Sequence, residues 1–258
     1  MKLSLVIPAR NEASQIADTV TGLRDHLDEK GISDLEILLV DDGSTDETAA
    51  IAESLAADDR RVLLLQNLRR HGFGRAVRFG LDRFTGDAVI VTMADASDSP
   101  EDVAAYYEVL RDRAECAFGS RFVKGGRRSG YPRFKLGINR LANSLIRVMF
   151  GLGYNDMTNA FKGYRRCVID GCKPFVSPHF NLTIELPLKA VTRGFTYEVV
   201  PVSWRNREVG TSSLLLKEQG SRYLYVLLSV WFEWLLVRHD YRRPAGESFT
   251  PWEEREEG

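Results

Sequence analysis

Cysteine is scarce in this sequence: Cys116, Cys167 and Cys172 are the only three in 258 residues. Their spacing matches no zinc site, and three cannot all pair. That excludes a disulfide framework and leaves buried thiols in a reducing compartment as the expectation. Net charge is nearly absent too, at −1, so no overall basic field points to nucleic acid. No basic, apolar and small-residue leader precedes the first strand pattern, and a cytosolic chain is expected. There is no internal repeat and no low-complexity linker. One stretch, 223–237, is strongly apolar, with only Ser229 and Glu233 polar. It falls short of the ~20 residues a bilayer-spanning helix needs, and Glu233 would be costly in lipid.

What is present is an ordinary apolar fraction, 44%, and a regular alternation of patterns. Short apolar runs at 3–8, 35–40, 62–65, 88–93 and 116–119 read as strands. Helical patterns fall between them, at about 14–30, 44–57 and 72–84. Ser44, Thr45, Asp46 and Glu47 read as a capping box. Ser99, Pro100, Glu101 and Asp102 read as a cap, a first-turn proline and first-turn acids. Such alternation predicts an α/β fold, a mainly parallel sheet with helices on both faces. Beyond Arg121 the pattern changes: helices are expected over 135–150, 182–193 and 221–237, a strand over 196–202, and an acidic disordered tail at 247–258. The expected domains are 1–213 for the nucleotide-binding core, 214–245 for a C-terminal helical extension and 246–258 for the tail.

Ligands of open α/β sheets bind outside the carboxyl ends of the strands. The polar residues of the first half collect there: Arg10, Asn11 and Glu12 after strand one, Asp41, Asp42, Gly43 and Ser44 after strand two, Asp95, Ser97 and Asp98 after strand four. Any one group is explained as a helix cap. Three on one rim repel one another unless a cation or hydrogen-bond donors compensate, which points to a nucleotide and a divalent metal.

Three sets of residues then carry a resemblance: Val6-Ile7-Pro8-Ala9-Arg10-Asn11-Glu12, Val40-Asp41-Asp42-Gly43-Ser44-Thr45-Asp46, and Asn67 with Gly72-Phe73-Gly74-Arg75-Ala76. Together they resemble the inverting family 2 glycosyltransferases, which have the Rossmann-like GT-A fold and use a UDP- or GDP-sugar with Mg²⁺ or Mn²⁺. Further on, Gly119-Ser120-Arg121-Phe122, Asp156-Met157-Thr158-Asn159-Ala160-Phe161-Lys162 and Arg207-Glu208-Val209-Gly210-Thr211-Ser212 are similar to dolichol-phosphate mannose synthases and related polyprenyl-phosphate enzymes. By position, the resemblance implies that Pro8, Ala9, Arg10, Glu12 and Asp42 line the nucleoside site, with Gly72 and Gly74 letting backbone approach the nucleotide. A tight turn is the plainer account of that glycine pair.

The family's two acids before a conserved-type proline are displaced here. Counting back from Pro100 puts Ala94 and Ala96 at those positions, with Asp95 between them, so Asp95 and Asp98 are the candidate metal ligands. For the acceptor phosphate the family places an Arg after strand five, an Arg fourteen residues on and a Ser four further. Arg121, Lys135 and Asn139 stand there. Lys135 and Asn139 lie one helical turn apart, and Lys lacks the bidentate fork of Arg. Arg207 resembles the Arg that neutralises the leaving diphosphate, while Ser213 replaces the family's following Lys.

The resemblance implies transfer of a sugar, from GDP-mannose or a UDP-sugar, to a polyprenyl or dolichyl phosphate. The alternatives are a hydroxyl acceptor with Glu185 or Asp156 as general base, a non-catalytic nucleotide-sugar binder, and, more weakly, a nucleotidyltransferase. The apolar helix is expected either to pack into the core or to lie in a membrane interface, with Trp231, Trp234, Arg238, Arg242 and Arg243 at headgroup level. A chain peripheral to the cytosolic membrane face follows, possible partners being a membrane protein or, through the same helix, a second copy as a homodimer.

Overall fold

The computed structural model describes residues 1–68, 70–129, 133–205, 216–243 and 249–252. The first half realises the expected alternation: β1 (Leu3–Ala9), α1 (Ile16–Glu29), β2 (Leu35–Asp41), α2 (Thr48–Asp58), β3 (Val62–Gln66), α3 (Phe73–Leu81), β4 (Ala88–Val91), α4 (Pro100–Asp112) and β5 (Cys116–Ser120). After β5 come β6 (Arg127–Ser129), α5 (Arg133–Phe150), β7 (Lys162–Arg165), α6 (Arg166–Cys172), α7 (Leu182–Thr192), β8 (Tyr197–Pro201) and β9 (Ser203–Arg205). Helices α8 (Leu216–Leu236) and α9 (Arg238–Tyr241) follow.

Seven strands form one sheet in the order β3-β2-β1-β4-β7-β5-β8, parallel except for β7, which runs antiparallel to both β4 and β5. The remaining two, β6 and β9, pair in a small parallel sheet. Strands β1 and β2 are buried along their whole length, the continuous apolar reading of a sheet covered on both faces. Alternation sorts their side chains. Leu3, Leu5 and Ile7 join the core beneath α1, α2 and α4, and Val6 joins the opposite core with α3, α6, α7 and α8.

Three sequence expectations change. Strand β7 and helix α6 were not anticipated, because Lys162 and Arg165 break the apolar pattern although both are buried. The capping box does not form: α2 starts at Thr48, and the side chains of Ser44 and Asp46 are engaged with the neighbouring strand end instead. Finally, Phe249, Thr250 and Trp252, placed in the acidic tail, lie against the body. Arg165, beneath Phe249 at 4.4 Å, donates to the carbonyls of Thr250, Leu110 and Arg111, and Trp252 N–H donates to Arg111 O at 2.9 Å. Arg243 pairs with fully buried Glu115 at 2.5 Å. Both contacts lie where β4 and β5 begin, since Arg165 registers with Ala88.

Helix α8 buries Val226, Leu227 and Val230 in the core and pairs Glu233 with Arg193 at 2.8 Å. No helix among the described residues is long and apolar enough to cross a membrane.

One buried acid ties β1 and β2 to the turn before β4. Glu36, in β2 opposite Ser4 of β1, accepts from Ser4 Oγ at 2.6 Å, from Thr85 N–H at 2.5 Å and from Thr85 Oγ1 at 2.6 Å, with Lys2 Nζ 3.3 Å away. Burial raises its pKa, but these donors and the Lys2 charge outweigh burial and hold the carboxyl below its ordinary 4.5. A depressed carboxyl contributes stability that is present above 4.5 and lost as pH falls through the folded value. Glu36→Gln is expected to cost about 1–3 kcal/mol in urea melts at pH 7, and the gap to wild type narrows as the pH drops below that range.

Candidate functional site

The chain proceeds from β1 outward to β2 and β3, then returns to place β4 on the other side of β1. Ligands of open sheets bind at such a switch point. There the strands part: β1 registers with β2 as far as Ala9 opposite Asp41, but with β4 only as far as Val6 opposite Val91. Pro8, buried in β1, lies past the last β4 partner, where its missing N–H breaks no ladder bond.

At the β2 end, Asp42 is nearly enclosed, and both its oxygens are engaged. Asn67 Nδ2 donates to Oδ1 at 2.7 Å, and Gly72 N–H donates to Oδ2 at 2.6 Å. His71 lies 3.6 Å away. Asp42 thus ties Asn67 to Gly72. Asn11, left-handed at φ 58°, accepts from Thr45 N–H at 2.8 Å and donates its own N–H to Ser44 Oγ. Asp46 accepts from Thr48 and from Ala13 N–H, and Glu12 N–H donates to Thr48 Oγ1. These bonds stitch the β1 and β2 loops into one rim, with Ala9 buried beneath it, Arg10 exposed on it and Glu12 half-buried.

Gly72 and Gly74 are required by close approach. A Cβ on Gly72 would sit 2.5 Å from Pro178 O, and one on Gly74 would sit 2.5 Å from His179 O. Phe73 stacks on Phe180 with centroids 4.3 Å apart. The glycine pair therefore receives the 177–180 segment. Glu185 anchors that segment: buried on α7, it accepts from Val176 and Ser177 N–H at 2.9 and 2.8 Å and pairs with Lys189 at 2.8 Å. Burial opposes its charge, yet Lys189 and the amide donors prevail and lower its pKa. The expectation of a carboxylate poised to take a proton meets one whose oxygens are both occupied.

At the β4 end, Thr19 Oγ1 of α1 holds the carbonyl of Ala94 at 3.0 Å, and Ala96 is left-handed at φ 53°. Asp95 accepts from Ser97 N–H, while Asp98 Oδ2 accepts from Met93 N–H at 3.0 Å and Thr92 Oγ1 at 3.1 Å. Burial above all, with the Asp95 charge adding to it, pushes Asp98 up to about 7. Asp102, raised by burial, takes Ser203 N–H and joins this end to β9. Among the described residues no group of three or more His, Cys, Asp or Glu could hold a metal. Asp95 and Asp98, two carboxylates in one strand-end bend with Asp98 raised by burial and by the Asp95 charge, suit a hard cation that draws its remaining ligands from phosphate oxygens and water.

At the β5 end, Arg121 forms a fork with Asp156, Nε to Oδ2 at 2.8 Å and Nη2 to Oδ1 at 2.7 Å, with the Arg121 N–H also on Oδ2. Both are buried. Asp156, weighed as a base, has its two oxygens held by one cation. The loop it opens is fixed from below by Lys162 of β7, whose Nζ donates to the carbonyls of Met157 and Asn159. Burial drives that amine down to about 7, against the pull of Asp156. Asn139 Nδ2 of α5 donates to Thr158 Oγ1 in the same loop at 2.7 Å, and Asn143 bonds both. Arg121 and Asn139 therefore meet through one loop, whereas Lys135 is placed only as backbone, one turn before Asn139. Arg207 and the rest of its motif lie outside the described residues. Sequence reasoning missed Asn143 and Lys189, which left no signal, and quoted Thr158 and Lys162 only as members of the Asp156–Lys162 motif, without a role.

The model of glycosyl transferase family 2 matches residues 4–171. Polyprenol monophosphomannose synthase of Mycolicibacterium smegmatis is 32% identical over 216 residues, covering 81% of this chain and 80% of that protein. Undecaprenyl-phosphate mannosyltransferase of Micrococcus luteus is 30% identical over 221 residues, covering 83% and 88%. Glucosyl-3-phosphoglycerate synthase from Mycobacterium tuberculosis, solved with Mn²⁺, uridine diphosphate and phosphoglyceric acid, superposes with a TM-score of 0.68 at 20% identity, covering 89% of this chain and 78% of that one. The seven-stranded α/β architecture is thus that of the GT-A glycosyltransferases.

The Glu185 geometry gives a direct expectation. Loss of a general base costs about 10²–10⁴ in rate, whereas Glu185→Gln keeps an acceptor for the 176–177 amides. Its turnover should stay within about tenfold of wild type, as measured by nucleoside diphosphate release, while its melting temperature falls; a thousandfold loss with the fold intact would restore the base assignment.

Proposed function

We propose that this chain, which belongs to glycosyl transferase family 2, moves a sugar from a nucleoside diphosphate to a polyprenyl phosphate at the cytosolic face of a membrane, with inversion at the anomeric carbon. Mannose is the favoured sugar, because the two relatives described above, 32% and 30% identical over most of the chain, are mannose-transferring by name. The observation that carries the acceptor is the buried Arg121–Asp156 fork joined through one loop to Asn139 and Thr158. It gathers Arg121 and Asn139 about one loop beyond β5, with Lys135 one turn before Asn139 on the same helix.

In this reading Pro8, Ala9, Arg10, Glu12 and Asp42 form the nucleoside wall. Asp42 acts chiefly by fixing Asn67 and Gly72, and the Gly72–Gly74 backbone closes the wall against the 177–180 segment. Asp95 and Asp98 would hold Mg²⁺ or Mn²⁺, which supplies charge neutralisation at the diphosphate. Arg207, assigned by resemblance, would add to it.

A phosphate monoester is largely dianionic at neutral pH, so its oxygen attacks the anomeric carbon without a base. The new C–O bond forms as the bond to the nucleoside diphosphate breaks on the opposite face, and the negative charge passes to the leaving group. The residues of this chain then contribute position and charge, the terms that dominate such transfers. The engagement of both Glu185 and Asp156 in ion pairs supports an acceptor that arrives already ionised.

Incubation with GDP-mannose, UDP-sugars, Mn²⁺ and short polyprenyl phosphates tests the proposal. Lipid-linked sugar should appear in step with released nucleoside diphosphate. Asp95→Asn should lower kcat/KM by about 10²–10³, and Asn139→Ala should raise the acceptor KM with little change in donor binding. Tight donor binding with no transfer to any acceptor would instead mark a nucleotide-sugar sensor.

A further inference from the structure

Helix α5 carries an apolar stripe left exposed among the described residues. Leu141 is 73% exposed and Val148 83%, with Ile138 and Leu145 also in solvent. The spacings of three and four put them on one side of the helix. Its other side buries Asn143, Ile146 and Phe150. Helix α8 packs beside it, Phe150 meeting Trp234 at 6.1 Å, and adds exposed Leu224, Phe232 and Leu235 on a second stripe. Trp231, expected at headgroup level, is partly packed into the core. Adjoining apolar surface of this kind marks an interaction site.

Charge identifies the occupant. From Glu115 to Asp156 the sequence carries no acidic residue between them but eight Lys or Arg. Arg140 and Arg147 are exposed on α5 itself, and Arg238 and Arg242 are exposed beyond α8. A two-fold contact with a second copy would bring the same cationic surface against itself. An anionic bilayer compensates those charges and accepts the apolar stripe between its headgroups.

We propose that α5 is a membrane-docking helix: Ile138, Leu141, Leu145 and Val148 enter the interface of an anionic bilayer, while Arg140 and Arg147 engage its headgroups. The same helix carries Lys135 and Asn139, so docking brings the proposed acceptor site to the lipid surface. This purpose rests on the lipid-acceptor reading, but the docking itself does not.

Sedimentation with acceptor-free vesicles tests it. Wild type should pellet with phosphatidylglycerol vesicles, far less with phosphatidylcholine vesicles, and be released by high salt. The triple variant Leu141→Ser/Leu145→Ser/Val148→Ser should bind at least tenfold more weakly with an unchanged melting temperature, and Arg140→Gln/Arg147→Gln should lose the preference for the anionic lipid. Transfer to a water-soluble short-chain acceptor should be unaffected in the triple variant, while transfer to a vesicle-borne acceptor falls. Wild type that stays in the supernatant, or a triple variant that pellets equally well, overturns the proposal. So does a wild-type dimer that the triple variant dissociates, which assigns the face to a second copy. Vesicle binding that persists when no polyprenyl phosphate is glycosylated leaves docking standing and removes the acceptor reading.

Discussion

The parting of β1 from β4 beyond Val6 and Val91 is the constraint on which the rest of the molecule depends. Two parallel strands that separate at one end cannot satisfy their backbone groups across the gap, so the loops beyond must supply polar groups. They do so in a particular way: Asn11, Ser44, Asp46 and Thr48 bond across the β1 and β2 loops, and Thr19 holds Ala94. Side chains that a sequence offers as helix caps are recruited into the rim. The crevice is stiff because its walls share these bonds.

Burying a carboxylate is costly unless donors accompany it, and this chain resolves the cost in two manners. Glu36, Asp42, Glu115, Asp156 and Glu185 are each surrounded by amides, hydroxyls or a cation, and each fixes a segment in place. Asp98 also has donors, Met93 N–H and Thr92 Oγ1, but burial above all, with the Asp95 charge adding to it, prevails over them and raises its pKa to about 7. Acids whose donors win and an acid whose donors lose are distinguished by that difference in company. Residue type does not separate them.

Much of this was legible in the sequence. The alternating runs of β1 to β5 announce themselves because both faces of a parallel sheet are covered. The strand-end acids pointed to the crevice because chain order alone places them there. Pairings were not legible. Nothing local tells Arg121 that Asp156, thirty-five residues on, will take its fork, nor Glu185 that the amides of Val176 and Ser177 will fold back upon it. Strand β7 was hidden for a related reason: Lys162 and Arg165 are charged residues whose burial is made possible by carbonyls, those of the preceding loop for Lys162 and that of Leu110, distant in sequence, for Arg165. Ser44 misled because a cap and a cross-loop bond ask for the same side chain.

The contact of Phe249, Thr250 and Trp252 with Arg165 and Arg111, with the Arg243–Glu115 pair beside it, sits where β4 and β5 begin. The crevice sits where the parallel strands end. One pole of the sheet is thus sealed by charge pairs and a returning tail segment, the other by cross-loop bonds and buried ion pairs. A substitution at an exposed rim position such as Arg10 leaves the pairs that seal the foot untouched, so the two ends can be altered one at a time.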